Sequence, residues 1–170
     1  PHSLGVFYQA LTQYLGFDHY GDEYKIMGLA PYGEPRYQSE MDQVLRQSNC
    51  GGFELNLDYF RHHSDKVAYQ WDGGAPKIGR LYADKLVELL GPVRAVQDPL
   101  TQHHKDLARS IQDAYERAFF NLLDRVYADH KCENLTLSGG CAMNSVANGK
   151  VHLRTPFKNL YVQSAAGDAG

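Results

Sequence analysis

Residues 134–170, NLTLSGGCAMNSVANGKVHLRTPFKNLYVQSAAGDAG, decide the fold class. Asn134 to Leu137 is a short apolar run bounded by turn residues and reads as a strand. Ser138-Gly139-Gly140 breaks it, and a helical stretch is expected from about Ala142 to Asn148, with Gly149 behind it. Asn159 to Gln163 reads as a second strand, which runs out into Ser164, Ala165, Ala166, Gly167 and Asp168. Upstream, Leu107, Ile111, Ala114, Ala118, Leu122 and Val126 recur at helical spacing, with Lys105, Arg109, Asp113 and Glu116 off that stripe. This helix follows Thr101 and is about 40 Å long at roughly 1.5 Å per residue. Helix, strand, glycine turn, helix and strand in that order predict an α/β layered domain.

Towards the N-terminus the pattern is more broken. Leu4, Phe7, Leu11 and Leu15 predict a helix over 4–15 that stops at Gly16, and a short helix is expected over Glu23 to Gly28. Tyr37, Met41, Val44 and Leu45 suggest a third helix. Phe53, Leu55 and Leu57 alternate with Glu54 and Asn56 as in a half-buried strand. Residues 61–80 carry little pattern, and a helix is expected from about Arg80 to Leu90, ended by Gly91-Pro92. Tyr8, Tyr14, Tyr20 and Tyr24, with Phe17, read as either core or interface, with core preferred.

The chain has 170 residues, 43% hydrophobic and 22% charged, the balance of a globular protein. Its 17 basic and 20 acidic residues leave a formal charge of -3, which argues against non-specific nucleic-acid binding. No run approaches the roughly 18 apolar residues of a membrane-spanning helix, and the opening Pro1-His2-Ser3-Leu4-Gly5 lacks the features of a signal peptide. The odd number of cysteines, Cys50, Cys132 and Cys141, fits no metal-ligand spacing and predicts a reducing, cytoplasmic compartment. Pro1 at the start and Gly167-Asp168-Ala169-Gly170 at the end predict a piece of a longer polypeptide.

Several residues carry two readings each. Gly139 and Gly140 between strand and helix are either a tight connection or a cradle where an anion meets exposed backbone N–H groups. Asn144 falls in the first turn of the following helix, where its amide can reach a ribose or base. Asp168, just past a strand end, is either a helix cap or a ligand for a hydrated divalent ion. Cys141, at the expected helix start, could act as a nucleophile with His152 or His130 as base, giving a cysteine acyltransferase, or simply pack.

Read together, these segments are ordered blocks. LSGGCAMNSVANGKV (137–151) and NLYVQSAAGDAG (159–170) resemble the signature of NodU/CmcH-type carbamoyltransferases. PHSLGVFYQALTQYLGF (1–17), GDEYKIMGLAPYGEP (21–35), FELNLDYF (53–60) and LTQHHKDLARSIQDAYE (100–116) are similar to the preceding blocks, so the resemblance covers nearly the whole chain. It implies part of an actin/hexokinase/Hsp70-like (ribonuclease H-like) nucleotide-binding domain, with residues 36–99 as a family-specific insertion. It also implies an activity: ATP and carbamoyl phosphate yield carbamoyl-adenylate, whose carbamoyl group passes to a hydroxyl of a natural product or nodulation factor.

Carried over by residue, the resemblance implies nucleotide binding at Gly139, Gly140 and Asn144, and a metal-binding role for Asp168. It places Lys25 near phosphate or the developing charge on the carbamoyl group, against the alternative of a solvated lysine. His2 and Ser3 either line the pocket or, for Ser3, cap a helix. The implied divalent metal (iron, magnesium or manganese) is held in the family by an HxxxH pair and aspartates, and a YrdC-like domain makes the adenylate. No HxxxH occurs here, and the adjacent pairs His62-His63 and His103-His104 are poor joint ligands. The chain alone is therefore expected to be inactive, its metal site incomplete, the YrdC-like domain missing and the general base elsewhere. Two alternatives keep the fold: an actin-like ATPase or kinase, and a non-catalytic nucleotide-binding module.

Overall fold

In the computed structural model, residues 1–48, 51–71 and 73–167 are described. They divide into two compact units, one of residues 1–46 and 54–114, the other of residues 47–53 and 115–170.

The first unit opens with α1 (Leu4–Tyr14). Ser3 caps it, its Oγ accepting the Val6 N–H at 3.3 Å. The predicted stripe of Leu4, Phe7, Leu11 and Leu15 is buried. Gly16 ends the helix with φ of 80°, and a Cβ there would press on the Arg94 carbonyl oxygen, so the position admits only glycine. Arg94 is itself buried and donates to the Leu15 and Gly16 carbonyls that the helix end leaves unpaired. After α2 (Glu23–Leu29) and a 3₁₀ turn (Ala30–Tyr32), α3 (Gln38–Val44) leads directly into β1 (Leu45–Gln47), which pairs with β2 (Phe53–Leu55).

The expected strand through Leu57 is shorter than its alternation suggests. The Asn56 side chain accepts from Asp58 N and turns the chain into a 3₁₀ segment, Leu57–Tyr59. Within the unpatterned stretch, β3 (Tyr69–Gln70) and β4 (Lys77–Ile78) form a two-residue antiparallel ribbon, with His19 bridged to Lys77. The helix expected from Arg80 begins later, as α4 (Asp84–Leu90). Residues 81–83 are held extended instead, because Leu81 accepts from Arg61 N and Ala83 donates to the Tyr59 carbonyl. The tyrosine patch splits: Tyr8 and Tyr14 are core, whereas Tyr20 and Tyr24 are exposed.

Helix α5 (Gln102–His130) starts in the first unit and ends in the second. The stripe read from the sequence is right up to Ala118 and then fails, since Leu122 is 39% exposed while Leu123 is buried. Glu116, expected on the polar side, is buried too. From Asp106 to Phe120 only Arg109, Asp113 and Arg117 reach solvent even partly, the pattern of a central helix rather than a surface one.

In the second unit, β5 (Asn134–Leu137) is followed by a 3₁₀ turn (Gly140–Met143), α6 (Ser145–Asn148), α7 (Val151–Arg154) and β6 (Asn159–Val162). β5 and β6 pair in parallel, Asn134 with Asn159 through Leu137 with Val162. A parallel pair requires a crossover, and the two short helices supply it. Leu135, Ala142, Ala147, Val151 and Phe157 are buried around it together with Tyr115, Phe119 and Phe120 of α5. No described helix is long and apolar enough to cross a membrane.

Candidate functional site

The glycine turn lies where the sequence placed it, at the carboxyl end of β5. Gly139 has φ 88° and ψ 167°, a conformation essentially reserved for glycine, so its identity is explained by the backbone. Gly140 is different. It is not among the glycines with positive φ, and a Cβ built on it meets no heavy atom within 4 Å. Neither strain nor crowding accounts for glycine there. The face that a side chain would cover is open, which is what close approach of a ligand to the main chain requires.

The rest of the turn is held firmly. Ala142 N–H donates to the Gly139 carbonyl at 3.0 Å and Asn144 N–H to the Cys141 carbonyl at 3.2 Å. The Tyr115 hydroxyl also donates to the Cys141 carbonyl, at 2.9 Å, and the Asn148 amide donates to the Ala142 carbonyl at 2.7 Å. Asn144 is 5% exposed and caps α6, its Oδ1 accepting the Ala147 N–H at 3.0 Å. The helix expected from Ala142 would hold this asparagine in its first turn. In fact a 3₁₀ turn precedes it and α6 begins one residue later, so its side-chain oxygen serves the helix end.

The far end of the crossover is tied down by a carboxylate that lies off the apolar stripe predicted for α5. Glu116, 3% exposed, takes both of its 2.7 Å hydrogen bonds from Lys150 Nζ, and Arg154 lies 3.8 Å away with its guanidinium 4.3 Å from the Phe120 ring centroid. Two cations on one buried carboxylate make burial tolerable. Helical periodicity alone cannot predict this, because the partners come from another segment.

Lys25, in the first unit, is neither free nor fully solvated. Its Nζ pairs with the buried Asp22 at 2.7 Å and sits 5.2 Å from the Phe17 ring centroid. His2 Nδ1 accepts the Leu55 N–H, and Ser3 is the cap of α1. Asp168 and Cys50 lie outside the described residues. Among the described residues no group of three or more His, Cys, Asp or Glu is placed to hold a metal ion. The adjacent histidines take separate partners: His103 Nδ1 is 2.6 Å from the Tyr37 hydroxyl, and His104 Nδ1 accepts from Thr101 N. Of the two bases considered for Cys141, His152 has its Nδ1 3.3 Å from the Phe157 carbonyl, and His130 is an exposed residue in the last turn of α5.

Comparison with known proteins adds what geometry cannot. The profile of a family described as Carbamoyltransferase N-terminus matches residues 1–170. The chain is 43% identical over its whole length to an uncharacterized protein of Synechocystis, of which it covers 26%. It is 36% identical to the nodulation protein NolO of Bradyrhizobium diazoefficiens and 35% identical to the nodulation protein NolNO of Sinorhizobium fredii, in each case over 99% of the chain. It covers 26% and 21% of those two proteins. The chain thus spans about a quarter of the length of these relatives.

Proposed function

The chain belongs to the family of carbamoyltransferase N-termini, and from that premise we propose that it is part of an O-carbamoyltransferase acting through carbamoyl-adenylate. The overall reaction joins a hydroxyl of a small-molecule acceptor to the carbamoyl carbon and releases AMP. The acceptor oxygen attacks the carbamoyl carbonyl, the carbon–oxygen bond to the adenylate phosphate breaks, and the hydroxyl proton passes to a base. AMP is a good leaving group, so no protein nucleophile is needed, and Cys141 has no required part. ATP and carbamoyl phosphate are the source of the adenylate, which a YrdC-like region elsewhere in the polypeptide would make.

The observation that carries nucleotide binding to this chain is Gly140, a glycine with no backbone or packing need, facing open space at a strand's carboxyl end. Gly139 sets the turn, and Asn144 shapes it from inside as a cap. The actin/hexokinase/Hsp70-like fold needs parallel strands joined by helical crossovers, and β5–β6 supplies one such unit. Lys25, held at a fixed place by Asp22 and Phe17, is the cation assigned to phosphate or to the charge that develops on the carbamoyl oxygen.

A divalent metal is part of the same proposal, with Asp168 as one ligand. Among the described residues, which do not include Asp168, no group of three or more His, Cys, Asp or Glu is placed to hold such an ion. Its ligands besides Asp168 would come from the remainder of the polypeptide. Asp168→Ala in the full-length protein is expected to lose bound metal, measured by elemental analysis, with its melting temperature unchanged. Full retention of metal would remove Asp168 from the site.

The test of the function is AMP release by the full-length protein, with and without carbamoyl phosphate, in the presence of a hydroxyl acceptor. Release that depends on carbamoyl phosphate supports the transferase. ATP turnover that ignores carbamoyl phosphate would instead indicate an actin-like ATPase or kinase, and binding without turnover a nucleotide-binding module.

A further inference from the structure

We propose that the Tyr115 hydroxyl is a positioning group that sets the glycine turn in its ligand-ready shape before a nucleotide arrives; this rests on the nucleotide binding proposed for that turn. Tyr115 sits in the middle of α5, 2% exposed, stacked on Phe119 at 5.8 Å between ring centroids and 13° between planes. The ring is therefore fixed by its own helix. From there the hydroxyl reaches 26 residues ahead in sequence to the Cys141 carbonyl, at 2.9 Å.

That carbonyl belongs to the residue directly after Gly140. It already takes the Asn144 N–H of the 3₁₀ turn, so Tyr115 supplies a second donor and fixes the plane of the peptide following Cys141. The next carbonyl, of Ala142, is held from the other side by Asn148, and the Gly139 carbonyl is held by Ala142 N–H. The peptide preceding Gly140 is thus held through the Gly139 carbonyl, and the peptides that follow Cys141 and Ala142 through theirs, while the Cβ direction of Gly140 faces open space. A turn held this way binds without first paying for its own ordering.

Anchoring the crossover does not by itself require Tyr115. Glu116, the next residue along α5, ties down the distal end through Lys150. The two neighbours divide the work: the carboxylate holds the segment and the phenol orients the turn.

The experiment uses full-length protein and a local readout, hydrogen exchange of the peptide covering residues 138–148 across an ATP titration. Tyr115→Phe deletes one oxygen and keeps the stacked ring. Its concentration of half-protection is expected to rise roughly fivefold, the equivalent of one net hydrogen bond, with faster exchange of the turn in the absence of ATP. Tyr8→Phe is the matched control, since its buried hydroxyl donates to Gln112 at 2.7 Å in the first unit. It is expected to lower the melting temperature to a similar degree and leave the half-protection concentration where it was. An unchanged half-protection concentration in Tyr115→Phe overturns the positioning role, as does an equal rise in Tyr8→Phe. If the parent protein shows no protection at any ATP concentration, nucleotide binding at the turn fails, and the role of Tyr115 with it.

Discussion

Gly140→Ala separates a glycine kept for the fold from one kept for a ligand. The added methyl meets no atom within 4 Å, and the backbone at 140 lies outside the left-handed region, so the folded protein accommodates it without strain. The unfolded chain loses freedom, and the expected change in stability runs from about zero to about 1 kcal/mol in favour of the variant. Binding is expected to move the other way. A nucleotide lying against this face must retreat or compress the methyl, and overpacking of that kind costs about 1–3 kcal/mol, or roughly 5- to 150-fold in affinity. Gly139→Ala makes the contrast. Its φ of 88° and ψ of 167° are unsuited to alanine, so about 1–3 kcal/mol of stability should go even without ligand. Thermal or urea denaturation gives the stability of each variant, and the ATP concentration that protects residues 138–148 gives affinity. Parent-like protection in Gly140→Ala would mean that no ligand touches this face. A loss of more than about 1 kcal/mol in its stability would mean that the glycine serves the fold, contrary to the open space around it.

Two further outcomes follow from buried groups. Burial, reinforced by the neighbouring Tyr82 and Tyr37, pushes the Tyr14 phenol up to about 12, and its hydroxyl donates to the Gly91 carbonyl at 2.6 Å. Between pH 10 and 12 the unfolded chain releases this proton while the folded chain keeps it, so the contribution is whole below pH 10 and declines above, by about 3 kcal/mol at most. Urea denaturation from pH 9 to 12 should show that decline, and Tyr14→Phe should flatten it; equal slopes would place the phenol in solvent. Glu116→Gln keeps one acceptor for Lys150 but turns an amide towards a cation, and is expected to cost about 2 kcal/mol in a denaturant titration, less than a fully buried pair because Lys150 and Arg154 can rehydrate. A parent-like midpoint would show the pair to be dispensable.

What the sequence disclosed follows the range of the interactions involved. β5 and α1 were legible because their signals are local: an apolar run between turn residues, and a heptad-like stripe with Ser3 ahead and Gly16 behind. The ribbon of β3 and β4 was not, since two residues per strand carry no period to detect. Residues 80–83 favoured a helix locally and were claimed by the 59–61 segment instead, a tertiary pairing that propensity does not register. The polar side of α5 was misjudged for a related reason. Charge predicts exposure only where no partner comes to meet it, and Glu116 is met by Lys150 and Arg154.

The same distinction governs the two residue types in the glycine turn. Asn144 matched a binding motif, yet its Oδ1 accepts the Ala147 N–H as the cap of α6, so its presence would be expected whether or not a nucleotide ever binds. Alanine there would remove a cap and deform the turn, and weaker binding would follow even if the amide never touched ligand. Gly140 has no such occupation. A residue whose identity the surrounding protein explains gives little information about a ligand, however well it fits a motif, because the fold alone suffices to retain it. A residue whose identity the protein leaves unexplained, as Gly28 and Gly74 are too, leaves room for a ligand without requiring one. For this chain the affinity of Gly140→Ala, rather than that of any Asn144 variant, therefore decides whether a nucleotide lies against the open face at the end of β5.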